Sequence, residues 1–236
     1  MKALILNSGI GSRLEELTKD CPKCLLPVRG RTILDRQLAS LTEYGLDEVI
    51  ITTGPFEEKI IDYVSSHFPS LKARYVHNQN YASTNYIYSI YLARALLDDD
   101  LVLLHGDLVF EKRALPAALD HNEGVIINDK AEVPRKDFKG RITDGIVAEI
   151  GVNVFGENCF MLQPLYVLPK EKGMIWWREI ENFIQRGEVN VYAENAFNRV
   201  ADKIRLKPIY FHGFCMEIDT KTDLSLAEDF LRTVEP

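Results

Sequence analysis

A lysine set between two cysteines, in the stretch DCPKC at residues 20–24, offers two chemistries at once. A Cys-x-x-Cys pair could hold zinc or cycle as a disulfide, whereas a lysine ammonium is a point charge suited to phosphate. Zinc needs two further ligands, yet the chain has no second Cys-x-x-Cys, and its five histidines show no paired ligand spacing. A redox pair would open a helix whose dipole lowers a thiol pKa, but Cys21 and Cys24 precede the strand-like run LLPV. The cysteines are therefore read as structural and Lys23 as the functional member. Upstream lies LNSGIGSR, where Gly9 and Gly11 would let backbone N–H groups approach phosphate oxygens and Arg13 brings a second cation. Neither common phosphate motif is complete. Leu14 stands where a dinucleotide fingerprint needs its third glycine, and no Gly-Lys-Ser/Thr closes a P-loop.

Carboxylates supply the opposite charge. Asp107 follows the apolar run LVLLHG, at the carboxyl end of a predicted parallel strand, where open α/β sheets place ligands. A carboxylate there suits a hard cation such as Mg2+, and Asp219 in CMEID is its natural partner, with helix capping as the competing role. Glu217 is expected on the opposite face of its strand and is a minor candidate. Asn78 ends a strand, and Thr84, Asn85 and Ser89 form a polar stripe at helical spacing after NQNY. The plain alternative for that stripe is a helix start rich in Asn and Thr.

These residues need a scaffold, and the apolar pattern provides one. KALILN, DEVIITTG, ARYVHN and LVLLHGD predict strands, separated by helices around RTILDRQLASLTEYG, FEEKIIDYVSSHF and TNYIYSIYLARALL, with another in KRALPAALDHN. Such alternation implies a mostly parallel sheet covered by helices. Beyond it, GVIIND, RITDGIVAEIG and NCFMLQPLYVL predict strands, and two helices follow around GMIWWREIENFIQRG and NVYAENAFNRVADKI. RLKPIYFHGFCMEID returns to strand, and TKTDLSLAEDFLRTV is a closing helix that Thr220 or Thr222 could cap. With 236 residues, 46% of them apolar, and no repeat or flexible linker, the chain is read as one domain over 1–236. The net charge of −7 argues against nucleic acid or an anionic membrane as a partner by bulk electrostatics. No apolar run suits a membrane span or a signal peptide, so a cytoplasmic chain with reduced thiols is expected.

Taken together, Leu6, Gly9, Gly11, Ser12, Arg13, Leu14, Leu17, Thr18, Pro22 and Lys23 match more than a phosphate turn. In order and spacing they resemble the signature loop of the nucleotidyltransferases that make nucleotide-activated sugars and phospho-alcohols. YASTNYIYSIYLA, LLHGDLVF and CMEIDTKTDLSLAEDF are similar to segments of the cytidylyltransferases for phosphocholine and 2-aminoethylphosphonate, so the likeness runs nearly end to end. Asn7 and Ser8 depart from the usual small pair before the first glycine, and Cys24 from the usual alanine.

The resemblance implies a three-layer α/β/α, Rossmann-like (GT-A-like) fold with a mixed central sheet, residues 1–110 binding nucleotide and 111–236 the acceptor. It implies Mg2+-dependent transfer of CMP from CTP to a small phosphorylated alcohol or phosphonate, releasing pyrophosphate. Sugar-1-phosphate thymidylyl or uridylyl transfer is the alternative, with a non-catalytic nucleotide-binding subunit as another, and a homodimer is open. Lys23, Arg13 and Asp107 would be catalytic, and Asp107 and Asp219 would hold the metal. Leu6, Asn7, Ser8, Gly9, Gly11, Ser12, Arg13, Lys23, Asn78, Thr84, Asn85 and Ser89 would bind nucleotide. Lys130, Tyr192 and Glu194 would serve the acceptor. Trp176 and Trp177 could join Tyr192 and Glu194 in caging a quaternary ammonium, core packing being their other use.

Overall fold

Alternate side chains of the strand KALIL point to opposite faces, and both faces are covered, since Ala3, Leu4 and Ile5 are all fully buried. The computed structural model describes residues 1–132 and 135–234, apart from the side chains of Ser12 and Glu15. The first half runs β1 (Lys2–Leu6), β2 (Pro27–Val28), β3 (Arg31–Thr32), α1 (Ile33–Glu43), β4 (Glu48–Thr53), α2 (Glu57–His67), β5 (Lys72–His77) and α3 (Tyr86–Ala93). It continues through β6 (Leu101–His105), β7 (Leu108–Phe110) and α4 (Ala114–Leu119). The second half adds β8 (Gly124–Asn128), β9 (Lys139–Thr143), β10 (Ile146–Gly151), β11 (Cys159–Leu168), α5 (Lys170–Gln185) and α6 (Ala193–Ile204). It closes with β12 (Pro208–Tyr210), β13 (Cys215–Glu217) and α7 (Lys221–Val234).

Nine strands of the described residues form one mixed sheet, ordered β10-β9-β11-β6-β1-β4-β5, with β8 on β11 and β12 on β8. Parallel pairing joins β1 to β4 and β6, and β4 to β5, as a buried, helix-covered sheet requires. The second half enters through β11, antiparallel to β6, which brings both halves of the chain into the same sheet. Leu4 and Leu103 face a core shared with α3, α5 and α6, while Ala3, Ile5 and Leu104 face another shared with α1, α2 and α4. Val28, Ile33, Val109 and Ile218 form a smaller cluster under α7. None of the described helices is long and apolar enough to cross a membrane.

Several elements are shorter than the pattern predicts. The run expected to be strand after Lys23 opens as a short 3-10 helix, Lys23–Leu25, leaving only Pro27–Val28 extended. Helix α3 gives way to a 3-10 turn at Arg94–Leu96. Thr220 caps α7: its Oγ1 accepts from Asp223 N at 3.2 Å, while the Asp223 carboxylate accepts from Thr220 N at 2.8 Å, a reciprocal arrangement.

Trp176 and Trp177 belong to this fold and not to a ligand cage. Trp176 is fully buried, donates its indole N–H to the Ala193 carbonyl at 2.9 Å, and stacks on Trp177 with centroids 5.4 Å apart. On that packing, Trp176→Ala is expected to destabilise the chain by about 3–5 kcal/mol. Denaturant unfolding checks it, and a loss below about 1 kcal/mol would contradict a core role.

Candidate active site

Parallel strands β1, β4 and β6 all end at the same edge of the sheet, so the loops that leave them meet there. The loop after β1 is tied down by its neighbour: Asn7 N–H reaches the Thr52 carbonyl at 3.1 Å, and Ser8 Oγ donates to Thr52 Oγ1 at 2.9 Å. Gly11 has φ +71°, the left-handed region where glycine is at home, and its carbonyl accepts from Thr18 Oγ1 at 2.8 Å. A side chain at Gly106 would place Cβ 1.7 Å from Asn7 Oδ1, so only glycine lets the loops after β1 and β6 approach this closely. At Gly9 a Cβ would meet no protein atom within 4 Å, which leaves the backbone bare toward the opening.

The loops enclose a cavity of about 350 Å3. Leu6, Asn7, Ser8, Gly9, Gly11, Arg13, Lys23, Asn78, Thr84, Asn85, Ser89, Asp107, Tyr192 and Asp219 all line it. The Ser12 side chain lies outside the described residues. On one wall the polar stripe closes on itself: the Ser8 and Ser89 hydroxyl oxygens are hydrogen-bonded at 2.8 Å, and Asn78 Nδ2 donates to Ser89 Oγ and Thr84 Oγ1, both at 3.0 Å. Asn85 caps α3, its Oδ1 accepting from Tyr86 N at 2.7 Å. Asn7 Nδ2 is buried with no protein partner.

Opposite charges converge on Lys23. Its ammonium lies 2.5 Å from Asp107 Oδ2 and 2.7 Å from Asp219 Oδ1, and Arg13 stands 2.8 Å from the same Asp219 oxygen. Burial works against the Lys23 charge, but Asp107 and Asp219 outweigh it and hold its pKa above the ordinary lysine value. Asp107 is likewise held below the usual carboxylate range, with Lys23 and then His105 overcoming the effect of burial. Asp219 is reached because Ile218 N–H bonds to the Asp107 carbonyl at 2.9 Å, which docks the end of β13 beside β6.

Glu217 needs correction. It lies two residues before Asp219, and the period of two that an extended chain imposes puts both on one face, with Ile218 buried behind them. Its Oε1 lies 2.8 Å from His105 Nδ1, and His105, Asp107 and Glu217 present ligand atoms within 4.8 Å of one another. Burial alone would keep the imidazole neutral, but the Glu217 hydrogen bond and charge, aided by Glu194 and Asp107, push His105 up to about 9. Histidine spacing elsewhere hid this residue; the signal was local, His-x-Asp at the mouth of a buried strand.

Two expected acceptor residues sit elsewhere. Lys130 is exposed and absent from the cavity wall, its backbone N–H bonded to Asn128 Oδ1 at 3.1 Å; the lysine of this connection that lines the wall is Lys136. Glu194 is buried behind Tyr192, where the hydroxyls of Tyr86 and Tyr166 occupy its two carboxylate oxygens, the latter at 2.9 Å. A carboxylate so satisfied holds the fold. The cysteines are also quiet: burial pushes the Cys21 thiol up against the pull of Lys59, and pushes Cys24 up much further.

CMP-5'-(3-aminopropyl)phosphonate synthase of Streptomyces rubellomurinus is 39% identical over 115 residues, which is 49% of this chain and 18% of that protein. Choline-phosphate cytidylyltransferase of Streptococcus pneumoniae is 33% identical over 111 residues, 47% of each chain. The chain thus spans at most about half the length of these two relatives in the matched stretch. Among solved structures, CTP:phosphocholine cytidylyltransferase from Streptococcus pneumoniae superposes with a TM-score of 0.80 over 98% of both chains at 22% identity, a likeness of fold. The MobA-like NTP transferase domain model matches residues 3–186, and the chain belongs to that family.

Proposed function

We propose that this chain is a cytoplasmic, Mg2+-dependent cytidylyltransferase that moves CMP from CTP onto a small phosphorylated alcohol or phosphonate and releases pyrophosphate. The observation that carries the reading is Lys23 held between Asp107 and Asp219 at the floor of a cavity walled by a glycine-rich loop. The names of its relatives, a CMP-phosphonate synthase and a choline-phosphate cytidylyltransferase, favour this substrate pair.

In this reaction an acceptor oxygen attacks the α-phosphorus, and the bond to the β-phosphate oxygen breaks. Such an acceptor is already ionised at neutral pH, so no general base is required. His105 is engaged elsewhere, its Nδ1 lying 2.8 Å from Glu217 Oε1. Rate enhancement would come from alignment of two anions and neutralisation of their charge. Backbone N–H groups around Gly9 and Gly11, with Arg13, would hold the β- and γ-phosphates, and Lys23 would stabilise charge on the α-phosphate and the departing oxygens.

The donor set fits a hard divalent cation. Two aspartate oxygens already converge on one cationic nitrogen, so the Lys23 ammonium marks a place where positive charge is stabilised. If Lys23 turns to the nucleotide, Asp107 loses its ammonium partner and Asp219 keeps only the exposed Arg13, which is costly for partly buried carboxylates unless another cation takes the place. Asp107 and Asp219 would hold Mg2+, whose contribution when bound is to neutralise the α-phosphate and the incoming acceptor.

Pyrophosphate release across four nucleoside triphosphates and a set of acceptors tests the reading. Turnover should be greatest with CTP and a phospho-alcohol or phosphonate; preference for UTP or dTTP with a sugar 1-phosphate would overturn it. Lys23→Ala and Asp107→Ala should each lower turnover by roughly a hundredfold or more, the scale of losing one preorganised electrostatic stabiliser. Near wild-type release by either variant would remove that residue from the mechanism.

A further inference from the structure

Bringing a phosphate or phosphonate up to a triphosphate adds about −1.5 to −2 of charge at neutral pH, and some cation must meet it. Arg13, Lys23, His105 and Lys136 are the cations on the cavity wall among the described residues. Arg13 and Lys23 belong to the loop after β1, and His105 is spent on Glu217. Lys136 comes instead from the second half of the chain, on the segment that leads into β9, two residues before Phe138, and its partner Asp223 accepts from the backbone of Asp219. Phe138 packs edge-on against Tyr192 with centroids 5.1 Å apart, and both line the cavity.

Lys136 lines this cavity and is partly open to water. Its ammonium rests 2.7 Å from Asp223 Oδ2 and is 40% exposed, a weak kind of ion pair. Asp223 is buried and Lys136 helps to hold its carboxyl below the ordinary value against that burial, but the same oxygen keeps other donors, Asp219 N at 3.1 Å, Thr220 N at 2.8 Å and Thr220 Oγ1 at 2.9 Å. Lys136 can therefore leave for a ligand without orphaning its partner.

The backbone that carries Lys136 is held from beneath by a second lysine. Lys139 is fully buried, and its ammonium donates to the carbonyls of Arg135 at 3.0 Å and Asp137 at 2.7 Å, the residues on either side of Lys136. The ring of Phe155 lies 4.7 Å from the same nitrogen. A buried ammonium is expensive, and an apolar side chain of similar length would pack the site at less cost. What the charge supplies, and an apolar chain cannot, is a fixed path for the backbone around residue 136.

We propose that Lys136 binds the phosphate or phosphonate of the acceptor and that Lys139 is the positioning residue that sets it there. The inference rests on nucleotidyl transfer as the function of this cavity.

Methylphosphonate is the probe, titrated calorimetrically into the full chain saturated with CMP in the presence of Mg2+, so that no leaving group allows turnover. Lys136→Ala should weaken methylphosphonate roughly tenfold or more, the scale of a lost charge-assisted hydrogen bond, with the CTP dissociation constant changed by less than about twofold. Lys136→Arg should keep most of the affinity. Lys139→Met should show the same selective loss, and Lys139→Gln, which retains a donor, should recover part of it.

Unchanged methylphosphonate affinity in Lys136→Ala, or no methylphosphonate binding at all, overturns the proposal. A loss of CTP affinity in that variant overturns it too, by placing Lys136 on the triphosphate. If Lys139→Met binds normally, or neither Lys139 variant folds, the positioning role falls, in the second case because Lys139 serves the fold itself. Failure of the wild-type chain to bind CTP or CMP would instead sink the functional reading on which the inference rests.

Discussion

One ammonium group ties the site together. Lys23 comes from the loop after β1, Asp107 from the end of β6 and Asp219 from the turn after β13, and the three meet through bonds of 2.5 and 2.7 Å. No local propensity can bring residues 23, 107 and 219 together; only the sheet can. Parallel pairing of β1 with β6 sets the first two side by side, and the short β7–β13 pairing carries the third in from the far end of the chain. Every constraint on those strands is therefore a constraint on the site, including the glycine at 106 that lets the loops after β1 and β6 lie against each other.

A charged cavity in a chain of net charge −7 has to be balanced locally. Arg13, Lys23, His105 and Lys136 each face a carboxylate, respectively Asp219, the Asp107 and Asp219 pair, Glu217 and Asp223. The pairs differ in how easily they part. His105 and Glu217 are buried together, and separating them would strand two charges. Arg13 and Lys136 are substantially exposed, so water can replace the carboxylate as either leaves for an anion. Lys23 lies between these limits, mostly buried and shared between two partly buried carboxylates.

Most of the scaffold was legible because its signals are local. KALIL, EVIITT and LVLLH are short, continuous apolar runs, and a run of that kind is a strand buried on both faces. The glycine loop and the lysine after it were legible as a string, since Gly11, Thr18 and Lys23 touch: a Cβ on Gly11 would sit 3.1 Å from Thr18 Cγ2 and 3.3 Å from Lys23 Cβ. Spacing between those residues is thus a packing requirement as much as a chemical one. What stayed hidden depended on the second half. Lys136 and Lys130 are both lysines in a polar connection, and only the register of β9 against β10 and β11 decides which one reaches the wall. Glu194 looked free in VYAEN because its partners, Tyr86 and Tyr166, lie 108 and 28 residues away. Glu217 shares the face of Asp219 because residues two apart on an extended strand point the same way, a placement that the sequence alone carries.

The Cys-x-x-Cys is the instructive failure of motif reading. Cys24 is buried in the core beneath α1 and β1, and the turn Lys23–Leu25 that begins with the lysine also carries that thiol inward. A small apolar side chain is what the position needs, and a thiol with its pKa raised by burial behaves as one. Cys21 is half-buried near Lys59, but burial outweighs that charge and leaves its thiol protonated as well. Nucleophilicity belongs to the thiolate, and burial disfavours that form at both sulfurs. The same burial that silences the thiols anchors the turn from which Lys23 reaches Asp107 and Asp219, so the two readings of DCPKC are linked: the cysteine at 24 is inert because it packs, and its packing helps to aim the lysine.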